Sequence, residues 1–548
     1  MSFVDARGVE AKTISADVCI VGAGAAGIAI ASELSGQSCR VALLESGDFK
    51  FRERPQSLYL GEQIGLPNFS TGRSRFRTFG GSTTRWGGQC RPLDALDFEA
   101  RDGFPHSGWP FGLAQLEPYY RRAQPICQLG PYEYQPSAWS ASDGGALPLD
   151  GTQLDTKIFQ FSWPIDFGKV YRTALERSDN VDVYLNANVI DIESDESAQN
   201  VTGLVAATFN DRRIRFTAAT YVLACGGIEN ARLLLASNRI ARHGLGNQHD
   251  LVGRFFMDHA YFVVGHFEPA TAGYDRSYYV IESYDCVGRE QKINAAFALS
   301  ERIRRDECLN GAALYFVRRP AYKTSPEYFS KGGRSFIHLI DVLRRHELSD
   351  GNLGRHLRNI AAGAREVAVS LSRQLIELAR PRPRLALRAV IETTPNPASR
   401  VTLGSRRDHF GMPQVRVNWQ LNAEDTRGLT RLLEVMRQEF ERCRLGRLIE
   451  YISTDDNGWP TSMTGGKHHM GTTRMHDDPR QGVVDPDCRV HGVSNLYVAG
   501  SSVFPTGGYA NPTLTIVALA LRLAEHLKQR LRSTLSQRTA QHDPLKLG

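Results

Sequence analysis

No two of the nine cysteines stand in a CxxC pair, and Cys19, Cys39, Cys90, Cys127, Cys225, Cys286, Cys308, Cys443 and Cys488 are scattered and odd in number. That excludes a disulfide framework and a thiolate cluster for zinc or iron–sulfur, and it fits a reducing compartment, so a cytoplasmic location is expected. The first twenty-odd residues have no basic n-region and no separate apolar run, so no signal peptide is expected. The longest apolar stretch, around IVALALRLAEHL, is too short and too soon charged to span a bilayer. No basic motif interleaved with aromatics points to nucleic acid. There is no internal repeat and no dominant low-complexity tract. A net charge of +7 over 548 residues is mild. Part of it sits in RRHELSDGNLGRHLRNIAAGAREVAVSLSRQLIELARPRPR, residues 344–384, which reads as a solvated helical face in preference to a surface for an anionic partner.

What remains is a globular composition, 41% hydrophobic and 23% charged. The length would allow three or four units of ~150 residues, although large α/β enzymes often run as two interleaved domains. ADVCIVGAG reads as a buried strand ending in glycine, AAGIAIASELSG as a helix of small apolar residues, and CRVALLESG as a second strand. This is the β-α-β opening of a doubly wound sheet. Gly22, Gly24 and Gly27 have the GxGxxG spacing. The first allows the tight turn, the second admits a diphosphate to the backbone, and the third lets helix and sheet pack closely. Glu45 ends the second strand, placed to bind both hydroxyls of an adenosine ribose, which argues against a 2′-phosphate. FAD and NAD are both compatible with these residues.

Further on, VDVYLNANVIDIE, VTGLVAATFN and RIRFTAATYVLACGG read as strands, and 335–380 as helical. RLALRAVIETTPNPASRVTLG and PQVRVNWQL read as sheet. AEDTRGLTRLLEVMRQEFERC forms an amphipathic helix with Leu429, Leu432, Leu433 and Met436 on one side. Residues from about 533 form a polar tail.

Four stretches join the glycine fingerprint, in order: TFGGSTTRWGGQCRPLDALDF, LACGGIENARLLLASN, DLVGRFFMDH and HHMGTTRMHDDPRQGVVDPDCRVHGVSNLYVAGSSVFPTGGYANPTLT. Together they resemble the glucose–methanol–choline (GMC) family of FAD-dependent oxidoreductases, most nearly its pyranose oxidase and fructose dehydrogenase branch. The resemblance implies an α/β fold, with an FAD-binding doubly wound (Rossmann-like) domain and a second α+β substrate domain on an antiparallel sheet. The expected cofactor domain comprises 1–110, 180–260 and 480–532. The substrate domain comprises 111–179 and 261–479, and 533–548 is the tail. By similarity, Gly22, Gly24, Gly27 and Glu45 hold the ADP half of FAD. Gly80, Gly81, Ser82 and Thr84 wrap the diphosphate, Val189 meets the adenine, and Cys225 and Gly226 lie along the diphosphate side. Gly500 and Ser501 close the site, and Asn511, Pro512 and Thr513 lie beside the reactive ring. Arg85 stands where pyranose oxidase has its flavin-linked histidine, so non-covalent FAD is expected.

Oxidation of an alcohol needs a base for the hydroxyl proton, and histidine titrates in the useful range. It also needs a donor that holds the oxygen as charge develops, which an asparagine provides without adding charge. In the family the base stands three residues before the glycine of a G-T pair. Counting back from Gly471 gives His468, which lies 43 residues before Asn511. His469 is its neighbour and the natural control. His259 reads equally well as a structural residue of a turn, and Arg474 as a loop anchor. A metal reading fails, because His468, His469 and His476 lack Cys or carboxylate partners at ligand spacing. The expectation is oxidation of a secondary alcohol of a sugar, glycoside or polyol to a ketone, with oxygen or a quinone as acceptor. The rivals are a tailoring dehydrogenase on another metabolite, a lyase with structural FAD, and a non-catalytic flavoprotein.

Overall fold

The strand Val18–Val21 is VCIV, buried throughout, and the glycines after it begin the helix Ala25–Leu34. The next strand, Val41–Leu44, is buried throughout as well. Runs apolar on both faces suit a sheet covered on both sides. The computed structural model describes residues 3–66, 70–139, 147, 149–162, 166–270, 279–280, 282–286, 289–320, 328, 330–344, 353–379, 383–450 and 462–541. In it these two strands sit inside a six-stranded parallel sheet. The order across the sheet is Phe3–Asp5, Val181–Leu185, Val41–Leu44, Val18–Val21, Thr220–Leu223 and Leu496–Val498. The last strand comes from the far end of the chain, which draws the C-terminal segment back over the glycine turn.

RIRFTAATYVLACGG divides between two sheets. Arg213–Thr217 joins Thr13–Ser15, Val201–Ala207 and Asn188–Ser194 in a four-stranded sheet, while Thr220–Leu223 enters the parallel one. A nine-stranded antiparallel sheet is built mainly from the middle of the chain. Its main path runs Gly446–Glu450, Ala260–Pro269, Pro383–Ile391, Ala312–Pro320, Arg289–Leu299, Leu154–Phe161 and Gln89–Cys90. Gln89–Cys90, inside the segment expected for the cofactor domain, pairs with this sheet. The short strand Thr464–Gly465 pairs with Ala260 and Tyr261, which carries the chain straight into His468. The helix Arg427–Arg442 covers one face with Leu429, Leu432, Leu433, Val435, Met436 and Phe440, all buried. Burial of each such side chain contributes ~1.5–3 kcal/mol.

The helix Thr513–Gln541 runs on into the polar segment that begins at about 533, and 542–548 lie outside the described residues. Leu, Gln, Arg and Ala are good helix formers, and the chain has no Pro or Gly after Thr513 until Pro544. Among the described residues no helix is long and apolar enough to cross a membrane, and no group of His, Cys, Asp and Glu could hold a metal ion.

Candidate active site

A cavity of ≈ 910 Å³ runs from the glycine turn to the antiparallel sheet, near the upper end of the usual range for cofactor and ligand pockets. At one end lie Gly22, Gly24, Glu45 and Val189. Along it lie Gly81, Ser82, Cys225, Gly226, Gly500 and Ser501, and at the far end His468, Asn511, Pro512 and Thr513. The structure therefore gathers onto one surface residues that are up to nearly 500 positions apart in sequence. Gly27, Gly80 and Thr84 stand behind that surface. A Cβ on Gly27 would lie 1.9 Å from the Gly22 carbonyl oxygen, so Gly27 sets the helix against the turn. Gly80 has φ 98° and abuts Gly168, and the Thr84 hydroxyl donates to the Gly81 carbonyl, 2.9 Å.

FAD fits these residues. A Cβ added at Gly24, Gly226 or Gly500 would meet no protein atom within 4 Å, so their side-chain space is cavity. The helices Ala25–Leu34, Gly226–Ala236 and Thr513–Gln541 all begin at the cavity wall, presenting free N–H groups and positive dipole ends to an anion. The Glu45 carboxylate accepts from Ala23 N at 3.0 Å and Gly47 N at 2.8 Å. Its burial outweighs these bonds and raises its pKa, so hydroxyl donors from a ribose would complete its solvation. Sequence reasoning missed the neighbouring wall. There Glu229 faces Arg75 at 3.1 Å, Arg77 at 2.9 Å and Arg232 at 3.2 Å, and Arg232 also meets Asp408 at 2.6 Å. Arg77 also acts on the Glu45 carboxylate, so three guanidiniums meet three carboxylates along this wall. Against the upward push of burial, those arginines hold Glu229 below its ordinary pKa. The motif RSRFRTFGG carried the signal: arginines alternating just ahead of a Gly-Gly turn. Arg85 also lines the cavity, and its guanidinium lies 4.9 Å from the Phe51 ring centroid.

At the far end two chain segments run side by side. Met257 and Met470 exchange backbone hydrogen bonds of 3.0 and 2.9 Å. Asp258, fully buried, accepts from His468 N at 2.7 Å and Lys467 N at 3.1 Å. Burial outweighs those bonds and raises its pKa to about 7. Gly466 must be glycine at this crossing, because a Cβ there would lie 2.7 Å from the Tyr261 ring and 2.9 Å from His468 Nδ1. His259 and His468 then meet Nδ1 to Nδ1 at 2.9 Å.

The tautomers follow from the partners. His259 Nε2 lies 2.9 Å from the Gly508 carbonyl oxygen, which only accepts, so Nε2 carries the proton. Burial depresses the pKa of His259 to about 4, so the ring is neutral and its Nδ1 is an acceptor. His468 Nδ1 must therefore donate, which leaves the lone pair on His468 Nε2. Burial, followed by His259, His469 and Arg388, holds the pKa of His468 well below its ordinary value. The ring is thus neutral at neutral pH. His259, ambiguous in the sequence, is the residue that orients it.

The Gly508 carbonyl is itself fixed from behind. Tyr509 Oη donates to Asp94 at 2.6 Å, Thr506 Oγ1 to the Asp97 carbonyl at 2.6 Å, and Trp109 Nε1 to Thr506 Oγ1 at 3.0 Å. His469 is also buried and lines the cavity, with its ring 5.8 Å from that of Phe256 and its carbonyl accepting from Ser501 Oγ at 2.7 Å. Arg474 Nη2 donates to the His106 carbonyl at 2.8 Å. Sequence reasoning missed the wall facing His468. Phe161, Tyr261, Tyr315 and Arg388 project there from four strands of the antiparallel sheet. Arg388 stacks 4.5 Å from the Tyr261 ring centroid, and Asn511 lines the same end of the cavity. Only the pairing of strands distant in sequence brings these four together.

Residues 395–520 match the GMC oxidoreductase C-terminal family model. The chain is 25% identical to 6'''-hydroxyparomomycin C oxidase of Streptomyces lividus, over 93% of this chain and 92% of that protein. It is 23% identical to the fructose dehydrogenase large subunit of Gluconobacter japonicus, over 94% and 98%. The fold superposes on the crystal structure of pyridoxine 4-oxidase from Mesorbium loti with a TM-score of 0.56 at 15% identity, covering 93% of this chain and 98% of that one. With the glycine turn, the cavity and the histidine pair already in place, these matches identify residues 395–520 as a GMC oxidoreductase C-terminal domain and make the rest of the chain similar to oxidases and dehydrogenases over most of its length.

Proposed function

We propose that this enzyme oxidises a secondary alcohol of a sugar, glycoside or polyol to the ketone, with His468 as base and Asn511 as its partner at the alcohol oxygen. The observation that carries the reading is the chain from the Gly508 carbonyl through His259 to His468. It leaves an unprotonated Nε2 on the residue that lines the cavity with Asn511. FAD, when bound, supplies the hydride acceptor. His468 Nε2 takes the hydroxyl proton. The Asn511 amide donates to the oxygen as negative charge grows there. Phe161, Tyr261 and Tyr315 offer aromatic faces to the C–H side of a sugar ring, and Arg388 offers donors to its hydroxyls. The sugar class is supported by the names of the relatives, an oxidase of 6'''-hydroxyparomomycin C and a fructose dehydrogenase.

FAD is held without a covalent bond at Arg85, whose guanidinium has no nucleophilic atom to offer. The test is anaerobic bleaching of the flavin across free sugars, O-glycosides and C-glycosides. His468→Ala should slow it by roughly 10²–10⁴-fold with FAD retained. A variant that bleaches as fast as the parent removes His468 from the mechanism. Turnover of substrate without bleaching favours a lyase.

A further inference from the structure

Nine large hydrophobic side chains are exposed among the described residues, and five of them stand on two consecutive helices. These are Leu353 and Leu357 on Leu353–Ala362, and Leu371, Leu375 and Ile376 on Ala364–Ala379. Leu375 and Ile376 are 68% and 67% exposed. The first helix shows leucines as well as arginines to the outside. Its polar residues His356 and Asn359 point inward, to the Ser335 hydroxyl at 3.2 and 3.1 Å, while its leucines face outward. A helix facing water has the reverse pattern. The hairpin is also held firmly on the helix Lys331–Arg344, since a Cβ at Gly363 would lie 3.0 Å from the Gly332 Cα.

The same stretch of sequence is basic. Residues 331–384 hold 11 Lys and Arg against 5 Asp and Glu, which accounts for nearly all of the chain's net +7. Arg355, Arg358, Arg365 and Arg373 are exposed beside the leucines. A second copy docked face to face would bring like charges together around the leucines, which opposes a two-fold contact. An anionic lipid surface satisfies both features: apolar side chains enter the acyl boundary while guanidiniums meet phosphates.

We propose that the helices 353–379 form a lipid-facing platform that holds the enzyme on an anionic bilayer surface without crossing it. The test is flotation of the full holoenzyme with phosphatidylcholine vesicles, with and without phosphatidylglycerol. The chain should float with the anionic vesicles, roughly 10²-fold less with the neutral ones, and come off as salt is raised. Leu353→Ser/Leu357→Ser/Leu375→Ser/Ile376→Ser should stay unbound while keeping its FAD and its activity with a soluble acceptor dye. Arg355→Gln/Arg358→Gln/Arg373→Gln should lose the preference for phosphatidylglycerol. Failure of the parent holoenzyme to float, or equal binding to both vesicles, overturns the proposal. A parent that elutes as a dimer and becomes monomeric in the leucine variant overturns it too, by identifying a second copy as the occupant.

Discussion

Two neighbouring histidines have different surroundings, and residue identity alone does not separate them. His468 is placed by Asp258 from its backbone side and by His259 from its ring side. His259→Leu removes the acceptor that fixes the tautomer, so Nε2 of His468 spends part of its time protonated. Flavin reduction should fall roughly 10-fold or more, less than for His468→Ala, with binding of FAD unchanged. The same substitution should show in stability. Burial lowers the pKa of His259 from 6.5 to about 4. Between those values the unfolded chain binds a proton that the native chain does not, so stability is full above 6.5 and falls as pH drops toward 4. The loss is about 3 kcal/mol for this group. Asp258 titrates in the opposite sense, because its pKa is raised to about 7. The measurement is therefore the difference in urea midpoint between parent and His259→Leu at pH 7 and pH 4, and an unchanged difference sinks the assignment. His259 was legible in the sequence as a residue of the MDH stretch, but its role was not, because its partner lies 209 positions away.

At the scale of elements, the site depends on where strands stop. Thr464–Gly465 ends its pairing with the strand Ala260–Pro269 just before Gly466, and the chain turns there through Lys467, φ 62°, into His468. Gly466→Ala places a methyl group against both His468 Nδ1 and the Tyr261 ring. The expected outcome is a loss of one to two orders of magnitude in flavin reduction, in line with the ~10² cost of a 1 Å misplacement, at normal FAD content. A substitution that releases FAD instead would show that this turn supports the cofactor rather than the base. The opening β-α-β unit was legible because its pattern is local: four buried residues, three glycines, a helix, a strand. The antiparallel sheet was legible only as separate strands. Its order, which sets Phe161, Tyr261, Tyr315 and Arg388 on one wall, follows from pairings across the whole chain.

Across the whole molecule, a buried charge network ties the cofactor side to the antiparallel sheet. Glu392, fully buried one residue after the strand Pro383–Ile391, accepts from Arg101 at 2.6 and 3.1 Å and from Gly311 N at 2.8 Å, and Arg304 bridges it to Asp97 at 3.0 Å. Glu392→Ala leaves two buried guanidiniums short of a partner. The expected cost is about 3–5 kcal/mol in unfolding free energy, read as a drop in urea midpoint. Glu392→Gln, which keeps an acceptor, should cost less, and equal costs would place the effect in packing rather than charge. Asp94 and Asp97 sit in one of the stretches that carry the family resemblance, but nothing in the sequence joined them to Arg101, Arg304 and Glu392, which belong to separate stretches with no shared spacing. By itself the sequence determined the opening strand, the glycine turn and the acid that follows it, because short-range spacing and residue chemistry are enough for those, while the late histidine and asparagine stood out through the family resemblance. Only the tertiary structure decided which ring nitrogen of His468 keeps its lone pair, which walls complete the cavity, and which helices show leucines to the outside. Those properties belong to contacts between segments hundreds of residues apart, and chain order does not encode distance in space.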